Sequence, residues 1–162
     1  MKKFIGGAAF LAGLTALAVA ATALATPASG VTSTAIAQGI LDPITIKTKI
    51  GDWESEIETK GQSDLVVVEN RVEPGGHFGW HSHPGPSLVI VKSGTSTFYR
   101  GDDPTCTGQD HPTGSAYVDP GGVVHTARNE GSVELVLLVI RMLPPGTQAR
   151  INAPRPSGCD FG

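Results

Sequence analysis

The chain has 162 residues, of which 40% are hydrophobic and 17% charged, with 21 Gly, 12 Pro and a formal net charge of -3. This length is typical of one domain, and the glycine and proline content favours a turn-rich protein over a helical bundle, collagen or a low-complexity chain. The sequence shows no basic patch, so it predicts no nucleic-acid partner.

The first 25 residues have the pattern of a secretory signal peptide. Lys2 and Lys3 precede an uncharged run over residues 4–25 that ends in Ala-Leu-Ala, a sequence suited to signal-peptidase cleavage. We therefore expect residues 1–25 to be removed, and the mature protein to be secreted or periplasmic without membrane insertion. An uncleaved N-terminal anchor is the less favoured alternative, because a run rich in Ala and Gly makes a weak membrane span.

The mature chain has the patterning of a β protein. Residues 26–43 are small and polar, which predicts a flexible segment, and residues 44–50 alternate between apolar and polar side chains, which predicts a half-buried strand. No segment shows a 3.6-residue apolar period, so we expect an all-β sandwich or barrel. Further strands are predicted over residues 65–72, 87–92, 95–99, 115–118, 123–128 and 133–143.

Two cysteines, Cys106 and Cys159, are present. In an exported chain an even count is typical of a disulfide, and this one would pin a C-terminal tail over residues 151–162. Two free thiols are the alternative. A metal-binding role for Cys106 is disfavoured, because no other thiol or histidine stands beside it at ligand spacing.

The sequence His81-Ser82-His83 is the first functional signal. Alternate residues of a strand share one face, so both imidazoles could bind one metal ion. The same spacing also fits two solvated histidines at a strand edge. His77 has the same parity and is a candidate acid or base beside such a site, or else an exposed histidine in a turn.

Two ordered groups of residues around these histidines resemble the two signature motifs of the cupin superfamily. The first group matches at its glycines and both histidines, but has Ser87 where the family usually has glutamate. The second group matches at every fixed position. The matching residues are Gly75, His81, His83 and Gly94 in the first group and Gly114, Pro120, Gly122, His125 and Asn129 in the second.

This resemblance implies an all-β double-stranded β-helix, or jelly-roll barrel, which we place over residues 44–150, in the manner of small secreted single-domain bacterial cupins. It also implies a divalent metal bound by His81, His83 and His125, with Ser87 at the position of the family's fourth ligand. His77 stays a candidate beside the ligands on strand parity alone. Because the hydroxyl of Ser87 is a poorer metal ligand than a carboxylate, we expect the metal to have open coordination positions for water or substrate. Fe, Zn, Ni, Co, Cu and Mn are all admissible, Mn least so without a carboxylate.

Two classes of function remain open at this point. One is a metal-dependent small-molecule dioxygenase or related oxidoreductase, and the other is a non-catalytic module that holds a small ligand or a metal. The sequence shows no obvious inward Asp or Glu to move protons, which slightly favours the second class. Arg128 and Arg141 are candidate anion-binding groups near the barrel mouth or, alternatively, solvated surface arginines. The expected partners are a small molecule and, as in many cupins, a second copy in a homodimer.

Overall fold

Short runs of β-branched and aromatic residues between glycine and proline turns form the strands of this protein. The structure is a computed structural model and describes residues 25–161. The predicted signal peptide, residues 1–25, lies outside the described residues except for Ala25. The strands are β1 Ser29–Leu41, β2 Thr45–Ile50, β3 Trp53–Glu58, β4 Ser63–His77, β5 His81–Ser82, β6 Ser87–Ser93, β7 Thr95–Arg100, β8 Gln109–Pro112, β9 Ala116–Asp119, β10 His125–Arg128, β11 Leu135–Leu143 and β12 Ile151–Asn152.

Ten strands form one antiparallel sheet. Its order is β12-β5-β10-β4-β11-β6-β9, with β1 paired to β4 and β7 paired to both β10 and β8. The sheet is barrel-like and nearly closed, which confirms the predicted all-β class. Among residues 25–161 no helix is long and apolar enough to cross a membrane.

The main hydrophobic core lies between β4, β6 and β11. Side chains in β6 alternate strictly between buried and exposed from Ser87 to Lys92, so Val89 and Val91 face the core while Leu88 and Ile90 face outward. Burial on one face only is what an antiparallel sheet with one solvated side requires. The core residues are Val72, Val89, Val91, Leu135, Leu137 and Val139.

A second core fixes the C-terminal tail to the barrel. Cys106 and Cys159 are joined in a disulfide, as the sequence predicts. The indole ring of the fully buried Trp80 stacks on Phe161, and its Nε1 donates a hydrogen bond of 3.0 Å to the Phe161 carbonyl. The tail therefore closes over an aromatic cluster completed by Tyr99.

Two expectations for the N-terminal part of the mature chain are corrected by the structure. The segment predicted to be flexible, residues 26–43, contains β1, which pairs with β4 from Ser29 to Leu41. Backbone hydrogen bonds to β4 order this segment, although its small and mostly exposed side chains bury little surface. The strand predicted over residues 44–50 exists as β2, but it is exposed along its length and pairs with β3 in a separate hairpin.

Candidate metal centre

Three histidines from two adjoining strands meet inside the barrel. His81 begins β5 and lies opposite His125, the first residue of β10, while His83 follows β5. Each of the three side chains is only 4% exposed. The structure thus brings together His81, His83 and His125, the three ligands that the sequence motifs predict, and we call them the histidine cluster.

Backbone carbonyls orient all three rings. Nδ1 of His81 lies 2.9 Å from the Gly79 carbonyl oxygen, and Nδ1 of His125 lies 2.9 Å from that of Val123. His83 Nδ1 bonds to the Ala149 carbonyl in the same way. A carbonyl oxygen can only accept, so each Nδ1 carries the hydrogen and each neutral ring keeps its lone pair on Nε2.

The Nε2 atoms fit a single metal ion. Nε2 of His81 and Nε2 of His83 are 3.2 Å apart, and one nitrogen from each of the three rings lies within 4.8 Å of the others. Two nitrogens bound to one ion at about 2.0–2.1 Å are about 2.8–3.4 Å apart when the angle between them is about 90–110°. Lone pairs that face one another repel unless a cation lies between them, so the donor set matches a divalent metal.

Burial keeps the rings neutral. It lowers the pKa of His81 to about 2, with a smaller contribution from the positive charge of Arg150, and lowers the pKa of His83 to about 4. Burial also lowers the pKa of His125, against the opposing effect of the Asp119 carboxylate. A metal therefore meets little competition from protons for these nitrogens near neutral pH.

An aspartate completes the arrangement around the Nε2 atoms. Asp119 ends β9 and is 3% exposed. Its Oδ2 lies 3.5 Å from Nε2 of His83 and 3.4 Å from Nε2 of His125, and its Oδ1 accepts a hydrogen bond of 3.0 Å from the amide of Gly121. Gly121 has a positive φ of 76°, a conformation that glycine adopts without strain and that this turn requires.

Asp119 is not among the residues predicted from the sequence, and the expectation of no inward acid at the site is wrong. An Asp before Pro-Gly-Gly has the pattern of a turn residue, and Asp119 does make the turn hydrogen bond with one of its oxygens. The available signal was strand parity. Tyr117 and Asp119 lie two residues apart on β9 and both line the cavity beside the histidine cluster.

The cavity beside the histidine cluster is mostly apolar and is also lined by the cationic side chain of Arg141. Its apolar wall is formed by Phe78, Val89, Phe98, Leu137 and Val139. A second cavity of about 220 Å³ shares His81, His83 and Arg141 with the first and is bordered by Arg150. Burial lowers the pKa of Arg141, and its Nε has no hydrogen-bond partner among the residues that the structure describes. Arg150 is already engaged, since it donates to the Phe78 carbonyl and to Asn152.

The remaining predicted residues divide into those at the site and those away from it. Ser87 lines the cavity, and its buried Oγ has no partner within residues 25–161. His77 does not line the cavity, and its Nδ1 accepts a hydrogen bond of 3.2 Å from the amide of Gly79. The strand is interrupted at Gly79, whose φ is 67°, so the parity shared by His77 and His81 does not put them on one face.

Arg128 is also away from the cavity, because its guanidinium lies over the Phe161 ring at 4.3 Å. Asn129 satisfies the backbone of the turn that follows β10. Its Nδ2 donates to the carbonyls of Val72 and Val133, and its Oδ1 accepts from the amide of Gly131. Asn129, a residue of the second motif, therefore stabilises the turn at the end of the strand that carries His125.

Comparison with known families identifies the barrel. Residues 68–141 match the family model described as the cupin domain. The chain contains a cupin domain. The match includes all three histidines of the cluster and Asp119. The cupin domain confirms the resemblance that the two sequence motifs suggest, and the barrel is a double-stranded β-helix.

Solved structures similar to this cupin domain come from several bacteria. A conserved Klebsiella pneumoniae protein with a double-stranded β-helix domain is 24% identical, with 69% of this chain and 84% of that chain covered at a TM-score of 0.48. A cupin superfamily protein from Desulfitobacterium hafniense is 16% identical, with 70% and 78% covered at a TM-score of 0.49. A cupin domain from Bordetella pertussis is 24% identical, with 65% and 100% covered at a TM-score of 0.44. No curated protein matches the chain.

Proposed function

We propose that this chain is an exported, metal-dependent cupin enzyme that acts on a small molecule as a dioxygenase or related oxidoreductase. One observation carries the proposal: three buried histidines, each oriented by a backbone carbonyl, point their Nε2 atoms into a largely apolar cavity. An ordered ligand set beside a largely apolar wall favours catalysis, whereas a binding module tolerates a wide, polar mouth.

The residues of the cavity have separable roles in this proposal. His81, His83 and His125 hold the metal, and their carbonyl partners keep the rings in place. A divalent metal held there supplies Lewis acidity toward a substrate oxygen, and iron also supplies redox chemistry with dioxygen. Phe78 and Phe98 exclude water from the cavity and pack on the substrate.

Arg141 indicates the chemical class of the substrate. Its guanidinium lines both cavities, is largely buried and leaves Nε without a partner among the described residues. A buried guanidinium with an unbonded Nε gains stability when an anionic group of a ligand accepts a hydrogen bond from it. We therefore expect the substrate to carry a carboxylate or phenolate oxygen that pairs with Arg141 while another part of the molecule approaches the metal.

Oxygen uptake tests the enzyme proposal. Protein loaded separately with iron(II) and with zinc is screened against small phenolic, carboxylic and thiol compounds in an oxygen electrode. We expect uptake with the iron form and at least one compound, and none after His125→Ala. Because His77 is away from the cavity, His77→Ala is the matched control and should retain uptake. A metal-loaded protein that binds these compounds without consuming oxygen would instead be the non-catalytic binding module.

Export is supported by the signal-peptide pattern and by the disulfide, a bond that persists in oxidising compartments. Cleavage after Ala25 would make Thr26 the first residue of the mature protein. Thr26 contacts the barrel directly, since its Oγ1 accepts a hydrogen bond of 2.6 Å from the amide of Trp80. The intact mass of the exported protein tests this, and a mass that includes residues 1–25 would contradict it.

We also propose a homodimer in which the β2–β3 hairpin covers the partner's β1. The two hairpin strands pair only with each other, and an isolated two-stranded hairpin is marginally stable in water. One face of the hairpin is apolar and exposed, and the outer face of β1 exposes two isoleucines. The apolar residues are Ile46, Ile50, Trp53 and Ile57 in the hairpin and Ile36 and Ile40 in β1.

A further inference from the structure

We infer that Asp119 is the fourth ligand of the metal, and that it supplies from β9 the carboxylate that the cupin motif normally supplies from the position of Ser87. This inference rests on the metal binding proposed above, and it adds a ligand that stands at a variable position of the second motif, between Gly114 and Pro120. It makes the site a set of three neutral imidazoles and one carboxylate.

The positions of Ser87 and Asp119 explain how one residue replaces the other. They are direct partners in the antiparallel pairing of β6 with β9. Directly opposed residues in such a pair project from the same face, with Cβ atoms about 4.5–5.5 Å apart. A side chain from position 119 therefore enters the space that a side chain from position 87 would occupy. Both residues line the cavity beside the histidine cluster.

The two carboxylate oxygens of Asp119 have different environments. Oδ1 accepts the Gly121 amide, which fixes the orientation of the carboxylate. Oδ2 is buried, has no hydrogen-bond partner within the described part of the chain, and lies 3.4 and 3.5 Å from two Nε2 atoms of the cluster. The described ion pairs join Asp119 to no lysine or arginine, and the positive charge of Arg141, which lines the same cavity, acts on Asp119 without a direct ion pair.

A cation explains why these atoms converge. The carbonyl bonds at Nδ1 leave lone pairs on the Nε2 atoms of His83 and His125, so neither atom donates to Oδ2. Lone pairs on nitrogen and a charged oxygen that face one another in a buried site repel strongly. A metal ion among them removes the repulsion. Carboxylate oxygen and imidazole nitrogen are ligands that zinc, iron and related divalent ions share.

The test measures metal affinity rather than activity. Metal-free protein is titrated with Zn²⁺ and with Co²⁺ against a chromophoric chelator. Asp119→Asn keeps an oxygen that can accept from Gly121 but removes the charge, and we expect its Kd to rise by at least tenfold and the visible absorption bands of the Co²⁺ form to shift. Asp160→Asn, an exposed aspartate away from the cavity, is the matched control and should bind as the wild type does.

A second variant separates ligation from a structural role. Ser87→Glu combined with Asp119→Asn restores the carboxylate from the opposite strand, and we expect it to recover most of the lost affinity. A Kd for folded Asp119→Asn within tenfold of the wild-type value would overturn the inference while leaving metal binding by the histidines intact. A wild-type protein that takes up neither Zn²⁺ nor Co²⁺ would overturn the proposed function itself, and this inference with it.

If Asp119→Asn does not fold, a crystal structure of the wild type grown with Zn²⁺ decides the question. The inference requires Asp119 Oδ2 to lie about 2.0–2.2 Å from the ion. An ion bound by the three histidines, with Oδ2 beyond about 3 Å and a water in its place, would contradict it.

Discussion

Each histidine of the cluster is buried with its hydrogen on Nδ1, and this makes the stability of the metal-free protein depend on pH. In the unfolded chain a histidine takes up a proton near pH 6.5. In the folded protein burial holds the pKa of His81 at about 2 and that of His83 at about 4. Between these values the unfolded state binds more protons, so the free energy of unfolding falls as the pH falls.

We expect denaturant unfolding of the metal-free protein to show this loss between pH 7 and pH 5. Each such ring contributes a slope of up to about 1.4 kcal/mol per pH unit once the pH is below 6.5. His81→Gln should show a shallower slope over the same range, because glutamine does not titrate. Identical slopes for the variant and the wild type would show that His81 is not held neutral by burial.

The motif residues at the site were predictable one by one, and the carboxylate was not. Strand parity places His81 and His83 on one face, and the resemblance to the family motifs adds His125 as the third ligand. Asp119 was missed because its neighbours Pro-Gly-Gly have the pattern of a turn, and this pattern masks the strand parity that Asp119 shares with Tyr117.

At the scale of elements, the disulfide and the aromatic tail act as one unit. Removing the bond frees a loop with a sequence separation of 53 residues, and the chain-entropy model puts the cost at about 4 kcal/mol. We expect Cys106→Ala with Cys159→Ala to lower the free energy of unfolding by an amount of this order. Emission from Trp80 should also move to longer wavelength as Phe161 leaves the indole ring.

Trp53→Phe provides the background for this measurement, because Trp53 is exposed in the hairpin and is the only other tryptophan. Chemical reduction of the protein with its cysteines intact should reproduce the effect of the double substitution. Unchanged stability and unchanged Trp80 emission in both experiments would show that the tail is held by packing alone.

The strands were predicted where hydrophobic patterning and burial agree. The strands β4, β6, β7, β9, β10 and β11 all overlap segments predicted from β-branched runs. The strand β1 was missed because its side chains are small, polar and mostly exposed, and pairing with β4 rather than side-chain burial orders it. The strand β2 has the predicted alternation of apolar and polar residues. The sequence does not show whether its apolar face packs on the barrel of the same chain or on a partner chain.

At the scale of the whole molecule, the exposed hairpin predicts an assembly. If the hairpin covers β1 of a second copy, a charge on its apolar face should prevent association. Ile50 is 72% exposed and lies opposite Trp53, so Ile50→Lys should convert a dimer to a monomer in sedimentation velocity. Thr45→Lys places the same charge on the polar face, beside Glu58, and should leave the dimer intact. A monomeric wild type at micromolar concentration would contradict the proposal.

Elemental analysis of the purified protein decides whether the histidine cluster holds a metal. The protein is isolated without added metal or chelator and compared with a variant carrying His81→Ala and His83→Ala. We predict close to one transition-metal ion per chain in the wild type and none in the folded variant. A folded wild-type protein that contains no metal and takes up none on titration would contradict metal binding by the histidine cluster.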